Sequence, residues 1–265
     1  MVQRYKTPFV LAASAHGPMI LSAIDWRNTG TAVEIGVGLD ILMNGEFDLP
    51  LISMTVGALQ LRRQEKGAGV VALDCGANIG AYSLEWGRAM DGWGRVLAFE
   101  PQERIYYALC GNLALNNLFN VQAITAAIGE KRDVIDMPAP DYCLPGQFGG
   151  LNLRGQTNIG QEITNTSQVQ VLPIDGLGLK RVDFIKLDIE GMEVEALRGA
   201  RGTIERNQPL MLIEWHICGF EPIEAFMADV GYETVKLGMN VACAPKGSEF
   251  TARLRELAAG QAVPA

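Results

Sequence analysis

The sequence has only two histidines, His16 and His216, and no C-x-x-C pair among its five cysteines. A Cys/His zinc centre and a disulfide frame are both disfavoured by that count. Bases are scarce too: 22 Lys and Arg stand against 30 Asp and Glu, a formal charge of −8. Nucleic-acid binding draws on Lys and Arg for phosphate contacts, so such a partner is not expected. No uninterrupted apolar run approaches the ~20 residues of a membrane helix. Disorder is excluded by 48% hydrophobic and 20% charged residues, an ordinary globular balance.

What is there is 265 residues with 30 glycines. At about 150 residues per domain, this is one large domain or a domain with an added arm. Glycine above the usual share of about 7% indicates many tight turns, or backbone that approaches a ligand closely. Residues 1–66 hold six acids and six bases, so the whole acidic excess lies in residues 67–265. Cys75, Cys110, Cys143, Cys218 and Cys243 are an odd set, four of them in apolar or periodic stretches. They read as buried thiols of a reducing compartment, and the chain is expected in the cytoplasm. Near the start, Arg4, Lys6 and Ala13-Ser14-Ala15 imitate a signal peptide. A hairpin is the better reading: Pro8 to Ala15, a His16-Gly17-Pro18 turn, then Met19 to Ile24.

Periodicity places a helix from Asp48 and Pro50 to about Lys66. From there strands and helices alternate. Strands are expected at Val70 to Cys75, Arg95 to Phe99, Val121 to Ile128, Val182 to Leu187 and Leu210 to Trp215. Helices fall near Ile79 to Met90, Gln102 to Leu118, Gly191 to Arg206 and Glu221 to Val230. Tyr232 to Leu237 and Asn240 to Ala244 form a late hairpin around Gly238-Met239. Residues 130–170 are weakly periodic and read as a lid or binding loop. The expected division is an arm of residues 1–66, a core domain of 67–248, and a helix and tail of 249–265. The fold class is α/β, a doubly wound, mostly parallel sheet with helices on both faces. In such sheets ligands bind beyond the carboxyl ends of strands, where strand order reverses.

The strand ends carry the chemistry. The first reads Leu73-Asp74-Cys75-Gly76-Ala77-Asn78-Ile79-Gly80. A dinucleotide turn would be G-x-G-x-x-G, but Asn78 stands where its middle glycine would be. Asp74 beside that turn would repel a pyrophosphate and attract an ammonium or sulfonium. The plainer reading is a strand–helix turn that binds nothing. The second strand ends Phe99-Glu100-Pro101, with Glu100 24 residues after Gly76, the range in which an acid accepts from both ribose hydroxyls. As a plain feature it is a carboxylate at a helix N-terminus. The fourth ends Lys186-Leu187-Asp188-Ile189-Glu190-Gly191, where Asp188 and Glu190 could equally cap the next helix. The fifth ends Glu214-Trp215-His216, placing a histidine beside an acid.

These strand ends, with Asn112, Asn116 and Asp188-Ile189-Glu190-Gly191-Met192-Glu193, resemble the FkbM family of S-adenosylmethionine-dependent methyltransferases over roughly residues 70–216. The resemblance implies a seven-stranded, Rossmann-like sheet whose last strand is antiparallel. It implies a cofactor set of Asp74, Gly76, Ala77, Asn78, Gly80, Glu100, Pro101 and Asp188. The Asp74–Gly80 turn would wrap the methionine part, Glu100 would hold the ribose, and Asp188 would lie beside the sulfonium. The expected reaction is O-methylation of a small molecule, sugar or glycan. Asp188, Glu190 and His216 are the candidate bases, in that order. A divalent ion on Asp188 and Glu190 is the less favoured way to acidify a hydroxyl, so no metal site is assigned. Methylation of nucleic-acid amines is disfavoured, because Asp188-Ile189-Glu190-Gly191 replaces the [DN]-P-P-[YFW] strand end. Two other readings stay open on sequence: an NAD-dependent oxidoreductase and a non-catalytic cofactor-binding relative. Residues 1–66 are expected to cover the cleft or to build an oligomer interface.

Overall fold

The computed structural model describes residues 4–153 and 159–260. Part of the polar stretch within 130–170, and the expected tail beyond residue 260, lie outside the described residues.

The arm opens with β1 (Phe9–Ser14) and β2 (Gly17–Ser22), an antiparallel hairpin. Ser14 faces Gly17, so the turn is Ala15-His16 and not His16-Gly17-Pro18. Alternation along β2 buries Met19 and Leu21. A second, unexpected hairpin follows, β3 (Trp26–Asn28) with β4 (Val33–Ile35). Asn28 Oδ1 accepts from the Gly30 N–H at 2.8 Å and shapes its turn. Helix α1 (Val37–Asn44) stops at Gly45, whose φ of 80° is left-handed. Helix α2 (Leu49–Lys66) has Pro50 in its first turn and Arg63 and Lys66 in its last, both favoured placements.

The core begins with β5 (Val70–Cys75), buried at every residue. It continues through α3 (Ala81–Ala89), β6 (Gly94–Phe99), α4 (Glu103–Leu115) and β7 (Val121–Ile124). Next come β8 (Ala127–Ile128), β9 (Asp133–Pro138) and β10 (Thr166–Leu172). Then follow β11 (Phe184–Leu187), α5 (Glu193–Arg198), α6 (Arg201–Asn207), β12 (Leu210–Glu214) and α7 (Phe220–Asp229). The chain closes with β13 (Tyr232–Leu237), β14 (Asn240–Pro245) and α8 (Glu249–Gly260).

Seven strands form one sheet in the order β13-β14-β12-β11-β5-β6-β7. All neighbours are parallel except at β14, which is antiparallel to β12 and β13. The fold is thus a doubly wound α/β sheet with its last strand reversed. From β5 the chain steps to β6 and β7 on one side. It then crosses back to β11 and β12 on the other. The reversal falls between β5 and β11, and the carboxyl ends of those two strands define the cleft.

Three segments differ from the sequence reading. The strand expected at Val121 to Ile128 is two. β7 pairs in the main sheet, whereas β8 pairs with β10 in a three-stranded sheet completed by β9. The weakly periodic 130–170 region therefore contains regular strands at both ends. The strands are short and bury few residues: Met137 in β9, and Val169 and Val171 in β10. The helix expected from Gly191 to Arg206 is broken into α5 and α6 at Gly199-Ala200, where a side chain on Gly199 would strike the Gly129 carbonyl. Of the five free cysteines only Cys75 and Cys243 are buried.

The arm is tied to the core by specific polar contacts. Asn112 on α4 accepts from the Ile20 N–H at 2.5 Å and donates to the Ile79 carbonyl at 2.8 Å. Asn116 donates to the Pro18 carbonyl at 2.9 Å. Buried His16 lies between Glu85, 3.1 Å from Nδ1, and the Phe47 N–H, which donates to Nε2 at 3.0 Å. Asp25 accepts from the Gly38 and Phe148 N–H groups at 2.8 and 2.9 Å, fastening α1 to the long connection. Behind the sheet, Trp86 packs edge-on to Phe184 and donates to Thr55 of α2 at 2.8 Å.

Candidate active site

A cavity of about 840 Å³ opens at the carboxyl ends of β5, β6, β11 and β12. Its volume is near the upper end of the usual 300–1,000 Å³ for small-molecule sites. Of the residues singled out from sequence, Gly76, Ala77, Asn78, Glu100, Pro101, Asp188, Glu190 and His216 line it. Asp74 and Gly80 do not.

Gly76 lies at the reversal itself. Its φ is +79°, and a Cβ there would fall 1.8 Å from the Asp188 carbonyl oxygen, so only glycine lets the two strand ends approach. Asn78 takes φ +50°, and its side-chain oxygen accepts from the Ile79 N–H at 2.7 Å. That local bond compensates the left-handed backbone. Gly80 opens α3 with φ +98°, and a side chain there would meet Leu109. It serves packing of helix on helix.

Glu100 ends β6, nearly fully buried. Its oxygens accept from the Asn78 N–H and the Gln102 N–H, each at 2.9 Å. Burial pushes its carboxyl up to about 7, against the pull of those two donors. Each oxygen keeps a second lone pair, which leaves room for hydroxyl donors from the cavity. Gln102 in turn donates to the Phe148 carbonyl at 2.8 Å and accepts from Tyr142 at 3.0 Å. The long connection is thereby held over the cleft.

Asp74 does not line the cavity and is fully buried. Ser83 donates to it at 2.6 Å, and Lys186 is its cross-strand neighbour, with Nζ 3.7 Å from Oδ1. The expectation that this carboxylate meets the ligand directly does not match its position. It acts on the cleft through Lys186, whose Nζ also donates to Asp188 at 3.0 Å and lies 5.0 Å from the Tyr82 ring centroid. The two neighbouring carboxylates raise the Lys186 pKa against its burial, which keeps the ammonium charged.

Asp188, Glu190, Glu214 and His216 gather at the ends of β11 and β12. Enclosure works to raise the Asp188 pKa, but Lys186 and a hydrogen bond from the Glu214 carboxyl hold it low. Glu214 is pushed up to about 10, first by burial and then by Asp188. Glu190 is pushed up to about 8 by the same two causes in the same order. At neutral pH the set therefore holds one ionised carboxylate, Asp188, hydrogen-bonded by a protonated Glu214. His216 Nδ1 sits 3.3 Å from Glu214 Oε1 and is partly exposed. Ligand atoms of Glu190, Glu214 and His216 lie within 4.8 Å of one another, a spacing one divalent ion could span. Glu190 itself has φ +54°, and Glu193 braces that turn by accepting from the Ile189 N–H at 3.0 Å and the Gly191 N–H at 3.1 Å.

Lys186, Glu214 and Glu193 were not among the residues singled out for a role. Lys186 had a visible mark, being the one charged residue in an otherwise apolar strand. Glu214 had one as the acid beside His216. The opposite wall had no such mark. It is built by the arm, from Arg27, Glu34, Ile35, Val37 and Phe47, together with Ile217 and Met239. Arg27 donates to Glu34 at 2.7 Å within it.

Residues 74–234 match the family model described as the methyltransferase FkbM domain. Among curated proteins, the chain is 29% identical over 195 residues to "Methyltransferase sdnD" of Sordaria araneosa, covering 62% of this chain and 74% of that one. It is 32% identical over 145 residues to "Methyltransferase 1" of Beauveria bassiana, covering 48% of this chain and 57% of that one. A solved "Methyltransferase FkbM" from Methylobacillus flagellatus KT aligns with TM-score 0.47 at 20% identity, over 67% of this chain and 43% of that one. The family match spans more than half of the sequence and includes every strand end that lines the cleft, and the chain belongs to the FkbM family of S-adenosylmethionine-dependent methyltransferases.

Proposed function

We propose that the protein methylates a hydroxyl oxygen of a small molecule or carbohydrate, with Asp188 receiving the hydroxyl proton. The observation that carries this reading is the Asp188 carboxylate, which lines the cavity at the β5–β11 reversal with Lys186 Nζ donating to it at 3.0 Å.

The donor set suits S-adenosylmethionine. Gly76 leaves backbone bare at the turn, and Glu100 retains lone pairs for ribose hydroxyls. Asp188, the ionised member of the strand-end acids, supplies negative potential for a sulfonium and an ammonium. When bound, the cofactor supplies a methyl group on cationic sulfur; the acceptor oxygen forms the new C–O bond and the C–S electron pair stays on sulfur. The residues of this chain align the partners, a contribution worth about 7–11 kcal/mol in well-oriented systems. Asp188 takes the proton late. A carboxylate held this low is a weak base, but the acceptor hydroxyl becomes strongly acidic as its oxygen shares a pair with carbon. His216 is less suited, because it is partly exposed and already paired with Glu214.

Calorimetry with S-adenosylmethionine, S-adenosylhomocysteine and NAD tests the cofactor. Both sulfur compounds should bind and NAD should not. Failure of both at high micromolar concentration would sink the reading. A non-catalytic relative would bind them but turn over no alcohol in a methyl-transfer screen.

A further inference from the structure

We propose that the acceptor is a neutral alcohol whose hydroxyl is borne on an apolar ring or chain, and that the arm and two late loops form its subsite. The proposal rests on the methyl-transfer reading and narrows it.

Ile35, Ile217 and Met239 line the cavity yet are 37%, 43% and 60% exposed. Single exposed apolar side chains are ordinary. These three come from β4, the segment after β12 and the β13–β14 turn, and they converge on one opening. Val37 and Phe47 continue the surface inward from the arm. Apolar side chains left half exposed in the lining of a cleft mark a surface that a ligand can cover.

Charge decides what the ligand is not. Lys186 is already shared between Asp74 and Asp188, and Arg27 donates to Glu34. A phosphorylated or carboxylated acceptor would instead meet the Asp188 carboxylate. Gln147 and Asn152 also line the cavity, but a bare polyol would still set some hydroxyls against Ile35, Ile217 and Met239, which offer no hydrogen-bond partner there. A neutral hydroxyl on an apolar body satisfies both walls: the oxygen faces Asp188 and the body covers the arm.

The test is titration of the full chain with 1-naphthol, methyl glucoside and glucose 6-phosphate, with and without saturating S-adenosylhomocysteine. Naphthol should bind at least about tenfold more tightly than methyl glucoside, and the phosphate should not bind, the difference expected for covering two or three half-exposed side chains. Ile217→Asp and Met239→Asp should each weaken naphthol by about tenfold. Both sites are partly exposed, so the variants should fold, and their affinity for S-adenosylhomocysteine should match the parent. Tighter binding of methyl glucoside, or naphthol binding unchanged in both variants, overturns the proposal. If S-adenosylhomocysteine fails to bind, the cofactor reading falls, but the naphthol titration without it still decides this one.

Discussion

The two walls of the cleft are built on opposite plans. The strand-end wall is polar and internally compensated. Lys186 is fixed between Asp74 and Asp188, Asp188 is bonded to Glu214, and Glu193 and Glu100 are each held by two backbone N–H groups. The arm wall is largely apolar and leaves side chains open to solvent. One plan fixes charges to fractions of an ångström, as displacement at carbon demands. The other offers area without direction, which suits recognition of shape. A fold shared by many methyltransferases can thus keep the first wall while the second varies.

The largest effect is expected where the polar wall touches the reaction. Asp188→Asn keeps the shape and removes the base. Turnover should fall by about 10²–10⁴-fold with little change in S-adenosylhomocysteine affinity, as measured by steady-state kinetics and calorimetry. A rise in KM alone would mean that Asp188 only positions the acceptor, and the contrast between walls would weaken.

Lys186→Met tests compensation itself. It leaves Asp74 fully buried with Ser83 as its one remaining partner among the contacts described above. Breaking a buried ion pair from one side costs about 3–5 kcal/mol. Denaturant unfolding should show a loss in that range. The double variant Lys186→Met/Asp74→Asn should recover much of it. A loss near zero would show that the polar wall tolerates an unpaired carboxylate.

Asn112→Ala should matter less. It removes the anchor of β2 and leaves the Ile20 N–H and the Ile79 carbonyl without that side chain. The expected cost is about 1–3 kcal/mol of stability. Because the arm carries the apolar wall, naphthol binding should weaken more than S-adenosylhomocysteine binding. Equal weakening of both would show that the arm supports the cofactor too.

The polar wall was legible residue by residue; of the arm wall the sequence offered only that residues 1–66 cover the cleft or build an oligomer interface, for a physical reason. Asp188, Glu190 and Glu100 sit at strand ends, where period and glycine spacing announce a turn, and charged residues after an apolar run stand out. Asp74 showed the limit of that reading. Its place on the strand was plain, but its facing depended on Lys186 across the β5–β11 pair, which only the sheet register reveals. Asn112 and Asn116 were visible as motif members, yet their partners, Ile20 and Pro18, lie more than 90 residues away. Ile35, Ile217 and Met239 are common residues in unrelated segments, and nothing local marks them as neighbours. β10 did carry a short alternation, buried Val169 and Val171 alternating with exposed Gln168 and Gln170, whereas β9 fully buries only Met137.

The smallest effect separates the walls by pH. Glu190 sits at about 8, with Asp188, Glu193, Glu214, Lys186 and Arg27 around it. Its ordinary value is 4.5, so the unfolded chain binds fewer protons than the folded one between those limits. Stability of the cofactor-free protein should therefore be greatest at and below pH 4.5 as far as this group is concerned. It should decline as pH rises through about 8. A cationic ligand lowers that pKa and expels the proton. S-adenosylmethionine should then bind more tightly as pH rises through about 8, with measurable proton release in buffers of different ionisation enthalpy. S-adenosylhomocysteine, neutral at sulfur, should release less. Naphthol, bound mainly through the apolar wall, should release no proton on binding as long as the pH stays below the ionisation of its own phenolic hydroxyl. If naphthol tracks pH as the sulfonium does, both ligands feel the strand-end charges, and the division of labour between the walls is not real.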